Sequence, residues 1–102
     1  MFGLVLVGPP GAGKSAVLEA LSDLLVIDDI AHAMVETEWL TATHPPLDDA
    51  RWFAHVQATC GLHRAQGQPL LLVAATVEGG ADLRALLEAV GADSVCERVA
   101  RV

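Results

Sequence analysis

Aromatic residues, lysine and cysteine are all scarce in this sequence. Of 102 residues, four are aromatic, two are cysteine and a single one, Lys14, is lysine. Cys60 and Cys96 have no metal-type spacing and stand in apolar stretches, so they read as small buried hydrophobes rather than as a disulfide or metal ligands. Long hydrophobic runs are missing too. The longest largely apolar one, Leu70 to Val77, falls far short of the ~20 residues that a transmembrane helix needs. Met1 to Val7 is apolar but has no basic flank and is ended by Gly8, Pro9 and Pro10, which is unlike a signal peptide. The expectation is a cytoplasmic protein with no membrane partner. Positive charge is also short: six basic residues against thirteen acidic ones give a net charge of -7. Such a chain repels a phosphate backbone, so nucleic acid is not an expected partner.

What the sequence does hold is apolar residues, 53% of the total, enough to bury a dense core in one domain spanning residues 1–102. Short apolar runs alternate with longer helical patterns. Phe2 to Val7 is apolar at successive positions and predicts a central strand of a parallel sheet. Lys14 to Ser22 predicts a helix, with Val17, Leu18 and Leu21 on one face. Leu24 to Asp28 predicts a second strand, and Ile30 to about Leu40 a helix capped by Asp29. His44, Pro45 and Pro46 interrupt before a long helix from about Asp48 to Gln66, stopped by Gly67. Pro69 opens a third strand, Leu70 to Ala75, and Ala81 to Val90 predicts a helix ended by Gly91. Residues 94–102 fit either a short amphipathic helix or the start of a fourth strand. Strands and helices alternating in this way predict a three-layer α/β/α fold with a parallel sheet.

Between the first strand and the first helix stands Gly8-Pro9-Pro10-Gly11-Ala12-Gly13-Lys14-Ser15, which fits G-x-x-x-x-G-K-[ST], the phosphate-binding P-loop or Walker A motif. At ordinary residue frequencies the four fixed positions match by accident in roughly 0.3% of chains this long. The strand before and the helix after are the context the motif requires. Its chemistry follows from the residue types. Triphosphate oxygens are held by backbone N–H groups converging at a helix N-terminus, whose dipole favours negative charge. Prolines have no N–H, so the donors are those of Gly11, Ala12, Gly13, Lys14 and Ser15, while Gly8, Gly11 and Gly13 permit the tight path. Lys14 reaches the terminal phosphates and the Ser15 hydroxyl becomes a Mg²⁺ ligand. The one lysine of the chain therefore occupies the place where a compact ammonium is wanted. The competing reading is a glycine-rich turn that holds no ligand.

A P-loop also needs a carboxylate near the metal. The third strand ends Val73-Ala74-Ala75-Thr76 and supplies none. Asp28 and Asp29, at the end of the expected second strand, are the candidates to orient Mg²⁺ or accept a proton, with Asp28 preferred because Asp29 is the better helix cap. Their alternative is a strand-ending acid followed by a cap. Glu78 is a weaker candidate. Arg51, His55, His63 and Arg64 face either a substrate cleft or solvent, and Trp52 and Phe53 read as core rather than as a stacking platform.

The loop at the extreme N-terminus, a short apolar strand ending in acids and a following helical segment resemble the small P-loop kinases, which include nucleoside monophosphate, shikimate and gluconate kinases. The resemblance implies Mg-ATP as co-substrate, phosphoryl transfer to a small-molecule acceptor, and a metal and substrate role for Asp28 and Asp29. Members of the family usually continue with further strands and an arginine-bearing lid. Here the sheet is expected to stop after about three strands. Cys96 to Arg101 is similar to the start of a lid helix, with Arg98 and Arg101 as phosphate contacts, or else is a charged, frayed end. Two other functions stay open: a nucleotide-binding module without turnover, whose exposed sheet edge pairs with a partner or a second copy, and a truncated NTPase.

Overall fold

The computed structural model describes residues 1–9, 11–40, 42–77, 79–91 and 98–101. Eight elements follow one another: β1 (Phe2–Val7), α1 (Lys14–Ile27), β2 (Ala33–Glu36), α2 (Thr37–Leu40), α3 (Asp49–Ala65), β3 (Leu70–Ala75), α4 (Gly79–Val90) and β4 (Arg98–Arg101). The strands form a sheet in the order β2-β3-β1-β4. All three pairings are parallel, with Phe2 opposite Leu70, Leu4 opposite Arg98 and Ala33 opposite Leu71.

The pleat sorts the apolar residues of the two central strands into two cores. Val5, Val7, Leu71, Val73 and Ala75 point to the side covered by α3 and α4, where they meet Val56, Cys60, Leu86 and Val90. Leu6, Leu72 and Ala74 point the other way, onto Leu18, Leu21 and Leu25 of α1. The apolar run without alternation is thus the signature of strands covered on both faces. The result is the expected three-layer α/β/α arrangement. Each fully buried leucine contributes about 1.5–3 kcal/mol of apolar transfer, and Leu18, Leu71, Leu72 and Leu86 are all below 2% exposed.

Helix boundaries follow local chemistry. Asp48 caps α3 by accepting the Arg51 N–H at 2.9 Å, and Gly67, at φ 79°, turns the chain from α3 toward β3. At the end of α4, Gly91 takes φ 67°, and the Arg64 guanidinium donates to the Val90 carbonyl at 2.9 Å.

Two expectations are corrected. Leu24 to Asp28 is not a strand: α1 continues through Ile27, and Asp28 is its C-terminal cap. Ile30 to Leu40 is not one helix either. It contains β2 and the single turn α2, with Thr37 buried and its hydroxyl donating to the Ala74 carbonyl at 3.1 Å. Of the two readings left open for residues 94–102, the described residues 98–101 form a fourth strand, paired with β1. Cys96 and Glu78 lie outside the described residues. No helix among the described residues is long and apolar enough to cross a membrane.

Candidate functional site

Parallel strands bring their carboxyl ends to one edge, where open α/β sheets take their ligands. Here β1 delivers the loop Gly8–Ser15, β2 delivers Glu36 followed by Thr37 and Glu38, and β3 delivers Thr76. The loop needs glycine at two positions for its path: Gly11 has φ 78° and Gly13 has φ 89°. A Cβ at either would meet nothing within 4 Å, so the demand is conformational and the space beside both is open. Within the loop the Ala12 N–H donates to the Pro9 carbonyl at 3.2 Å. Helix α1 starts directly at Lys14 with Gly13 as cap, no side-chain cap bond and no acid in its first turn. The positive end of its dipole is therefore left without a carboxylate of its own.

Lys14 is 7% exposed. Its ammonium donates to the carbonyls of Gly8 at 2.8 Å and Pro9 at 2.9 Å, and to Thr76 Oγ1 at 3.2 Å. Glu38 Oε1 lies 3.9 Å from the same nitrogen and accepts the hydroxyl proton of Thr76. Ser15 Oγ donates to Glu36 Oε2 at 3.3 Å. Two hydroxyls, two carboxylates and one ammonium thus converge on the open face of a glycine loop. Beyond Thr76 a cavity of about 270 Å³ opens between the starts of α3 and α4, walled by Trp52, Phe53, Val77, Asp49 and Asp82. The two rings pack edge to face, 4.9 Å between centroids.

The sequence-predicted residues divide sharply. Gly8, Gly11, Ala12, Gly13, Lys14 and Ser15 stand together, as the motif requires. Asp28 and Asp29 do not join them. They sit at the far end of α1, whose 14 residues span about 20 Å, on the amino side of the sheet. Asp29 is held at φ 55° in the turn leaving the helix, and its amide donates to the Val26 carbonyl. Neither can share a metal ion with Ser15. The carboxylates at the site are Glu36 and Glu38, which the expected helix over residues 30–40 concealed. The signal that could have found them is Val35-Glu36-Thr37, a β-branched pair around an acid just after an apolar residue, in the position a strand end takes before a ligand site. Thr76 occupies the strand end where no acid was found and binds Glu38 in its place.

Of the remaining candidates, Arg51 is exposed and lies 3.9 Å from Asp48, while His63 and Arg64 belong to the last turn of α3, away from the loop. Trp52 and Phe53 are half-buried in the wall of the cavity, part core and part surface. Arg101 stands opposite Val7 in the register of β4, at the carboxyl edge, and Arg98 lies opposite Leu4. Cys60 is buried as expected, and burial pushes its thiol up to about 11, against a smaller opposing effect of Arg64.

The residues fit a magnesium ion. Ser15 Oγ and Glu36 Oε2 are hard oxygen donors placed side by side, and magnesium is commonly held by one carboxylate, substrate phosphates and water rather than by a protein cage. Groups of three or more His, Cys, Asp or Glu able to hold a metal by themselves are lacking among the described residues.

No family model and no curated protein matches the sequence. Among solved structures, the fold is similar to that of a mutant of the Mycobacterium tuberculosis APS kinase CysC, with a TM-score of 0.64 and 17% sequence identity over 98% of this chain and 72% of that one. The chain has a P-loop kinase-like fold.

Proposed function

We propose that this chain binds Mg-ATP on Gly8–Ser15 and transfers the γ-phosphoryl group to the hydroxyl of a small molecule. The observation that carries this reading is the Lys14 ammonium, nearly buried and held against its own loop by the Gly8 and Pro9 carbonyls. Its four-carbon stem can swing the charge from these neutral acceptors to phosphate oxygens, where the bonds are charge-assisted and stronger. The amides of Gly11, Ala12, Gly13, Lys14 and Ser15 supply the cradle. Ser15 and Glu36 would hold a magnesium ion, which would neutralise charge on the phosphates.

In the transfer, the acceptor oxygen forms a new bond to the γ-phosphorus while the bond from that phosphorus to the β,γ-bridging oxygen breaks. ADP leaves, and the hydroxyl proton passes to a carboxylate. Glu38 is the residue for that proton: it accepts from the hydroxyl of Thr76, which lines the cavity, and lies 3.9 Å from the Lys14 ammonium. Positioning and charge stabilisation do most of the catalytic work in such reactions.

Calorimetry with Mg-ATP, run beside an assay of ADP release with and without hydroxyl acceptors, tests the reading. Saturable ATP binding with acceptor-dependent release supports a kinase. Binding with no release at any acceptor turns the chain into a nucleotide-binding module, and no binding removes both.

A further inference from the structure

Which acceptor the cavity would take is written in its walls. Its aromatic side is Trp52 and Phe53, its aliphatic contribution Leu47 and Val77, and its polar groups Asp49, Asp82 and the Thr76 hydroxyl. Among the described residues that line it, none is basic. Lys14 is engaged at the loop, Arg51 pairs with Asp48, and Arg64 binds the end of α4. Asp49 and Asp82 each stand in the first turn of a helix, α3 and α4, so two positive dipole ends also point toward the space. The balance decides the sign. Two helix ends contribute about half an elementary charge each, against a full negative charge on each carboxylate, so the described groups around the cavity sum to about one net negative charge.

Resting on the kinase reading above, we infer that the phosphoryl acceptor is a hydroxyl-bearing organic cation with a flat ring, seated between the Trp52–Phe53 wall and the carboxylates of Asp49 and Asp82. The ring lies on aromatic surface, where an adjacent ammonium gains a cation–π contribution. The ammonium meets the two carboxylates, and the hydroxyl points past Thr76 toward Glu38 and the loop. An anionic acceptor would face two carboxylates, with no base among the described lining residues to receive it.

The test uses three phenols of matched shape that differ in charge: tyramine, 4-ethylphenol and 4-hydroxyphenylacetate. Each is titrated into the wild-type chain at physiological salt, with binding followed through the Trp and Phe signals in NMR. Tyramine is expected to bind on the order of tenfold more tightly than 4-ethylphenol, with the carboxylate weakest, since a screened ion pair near the surface is worth about that factor. The combined Asp49→Asn and Asp82→Asn variant is expected to bind tyramine and 4-ethylphenol equally. Equal binding of the three phenols to the wild type, a preference for the carboxylate, or no binding of tyramine overturns the inference. Mg-ATP titrated into the same wild-type chain reports on the phosphate loop separately, so a failed acceptor inference with intact ATP binding is distinguishable from a failed kinase reading.

Discussion

Replacing Lys14 by alanine removes the ammonium that the loop's own carbonyls hold. The ammonium makes three hydrogen bonds of 2.8 to 3.2 Å, all to neutral oxygens. Against phosphate, two of these become bonds between full charges, each worth about 1.5–3 kcal/mol. Even two at the lower bound give about 3 kcal/mol, a loss of more than ~100-fold in affinity for Mg-ATP. Folding should suffer much less. The substitution leaves no charge buried, and the carbonyls of Gly8 and Pro9 sit at an open surface loop where water can replace the ammonium. Calorimetry with Mg-ATP and thermal unfolding by circular dichroism on the same sample measure both effects. The expected result is ATP binding lost beyond ~100-fold with helix content unchanged. Lys14→Arg should behave like alanine, because a planar guanidinium cannot converge on two adjacent carbonyls as a compact ammonium does. Wild-type affinity in either variant refutes the assignment of the loop.

Glu36→Gln should raise the Mg²⁺ concentration needed for ATP binding about tenfold or more, while Asp28→Asn leaves it unchanged; a magnesium titration at fixed ATP checks this, and the reverse order would return the metal to the far end of α1. Leu72→Ala, at a position 1% exposed beneath α1, should cost about 2–5 kcal/mol in urea unfolding, and a loss below 1 kcal/mol would mean that the second core is not packed as described. The Cys60 thiol, raised from 9 to about 11, favours the folded state fully below pH 9, and that contribution is lost as pH rises through 11. In a Cys96→Ser background, alkylation at pH 8 should therefore be slow in the native chain and fast in urea; equal rates would contradict burial.

Much of this arrangement was legible in the sequence because strong patterns met strong punctuation. β3 runs from Leu70 to Ala75 as expected, and α3 lies between its Asp48 cap and Gly67. The loop was legible because four fixed positions carry one mechanism. The failure at residues 24–40 has a physical cause. Leu24, Val26 and Ile27 form an apolar run that resembles a buried strand, yet they are 60%, 66% and 77% exposed on the last turns of α1. The true second strand has four residues and only Val35 buried, too little periodicity to outweigh its helix-forming neighbours. Because Asp28 and Asp29 were tied to the wrong strand, the carboxylates of the site were misassigned with it. Likewise β4 pairs Arg98–Arg101 with β1, a tertiary contact that the short charged segment does not announce.

The most direct test of the account is an amide-resolved NMR titration of the chain with Mg-ATP. The account predicts that the backbone N–H signals of Gly11, Gly13, Lys14 and Ser15 shift most, with Glu36 following and Asp28 and Asp29 unmoved. Shifts concentrated at the end of α1, or loop amides that stay still at saturating nucleotide, would contradict it.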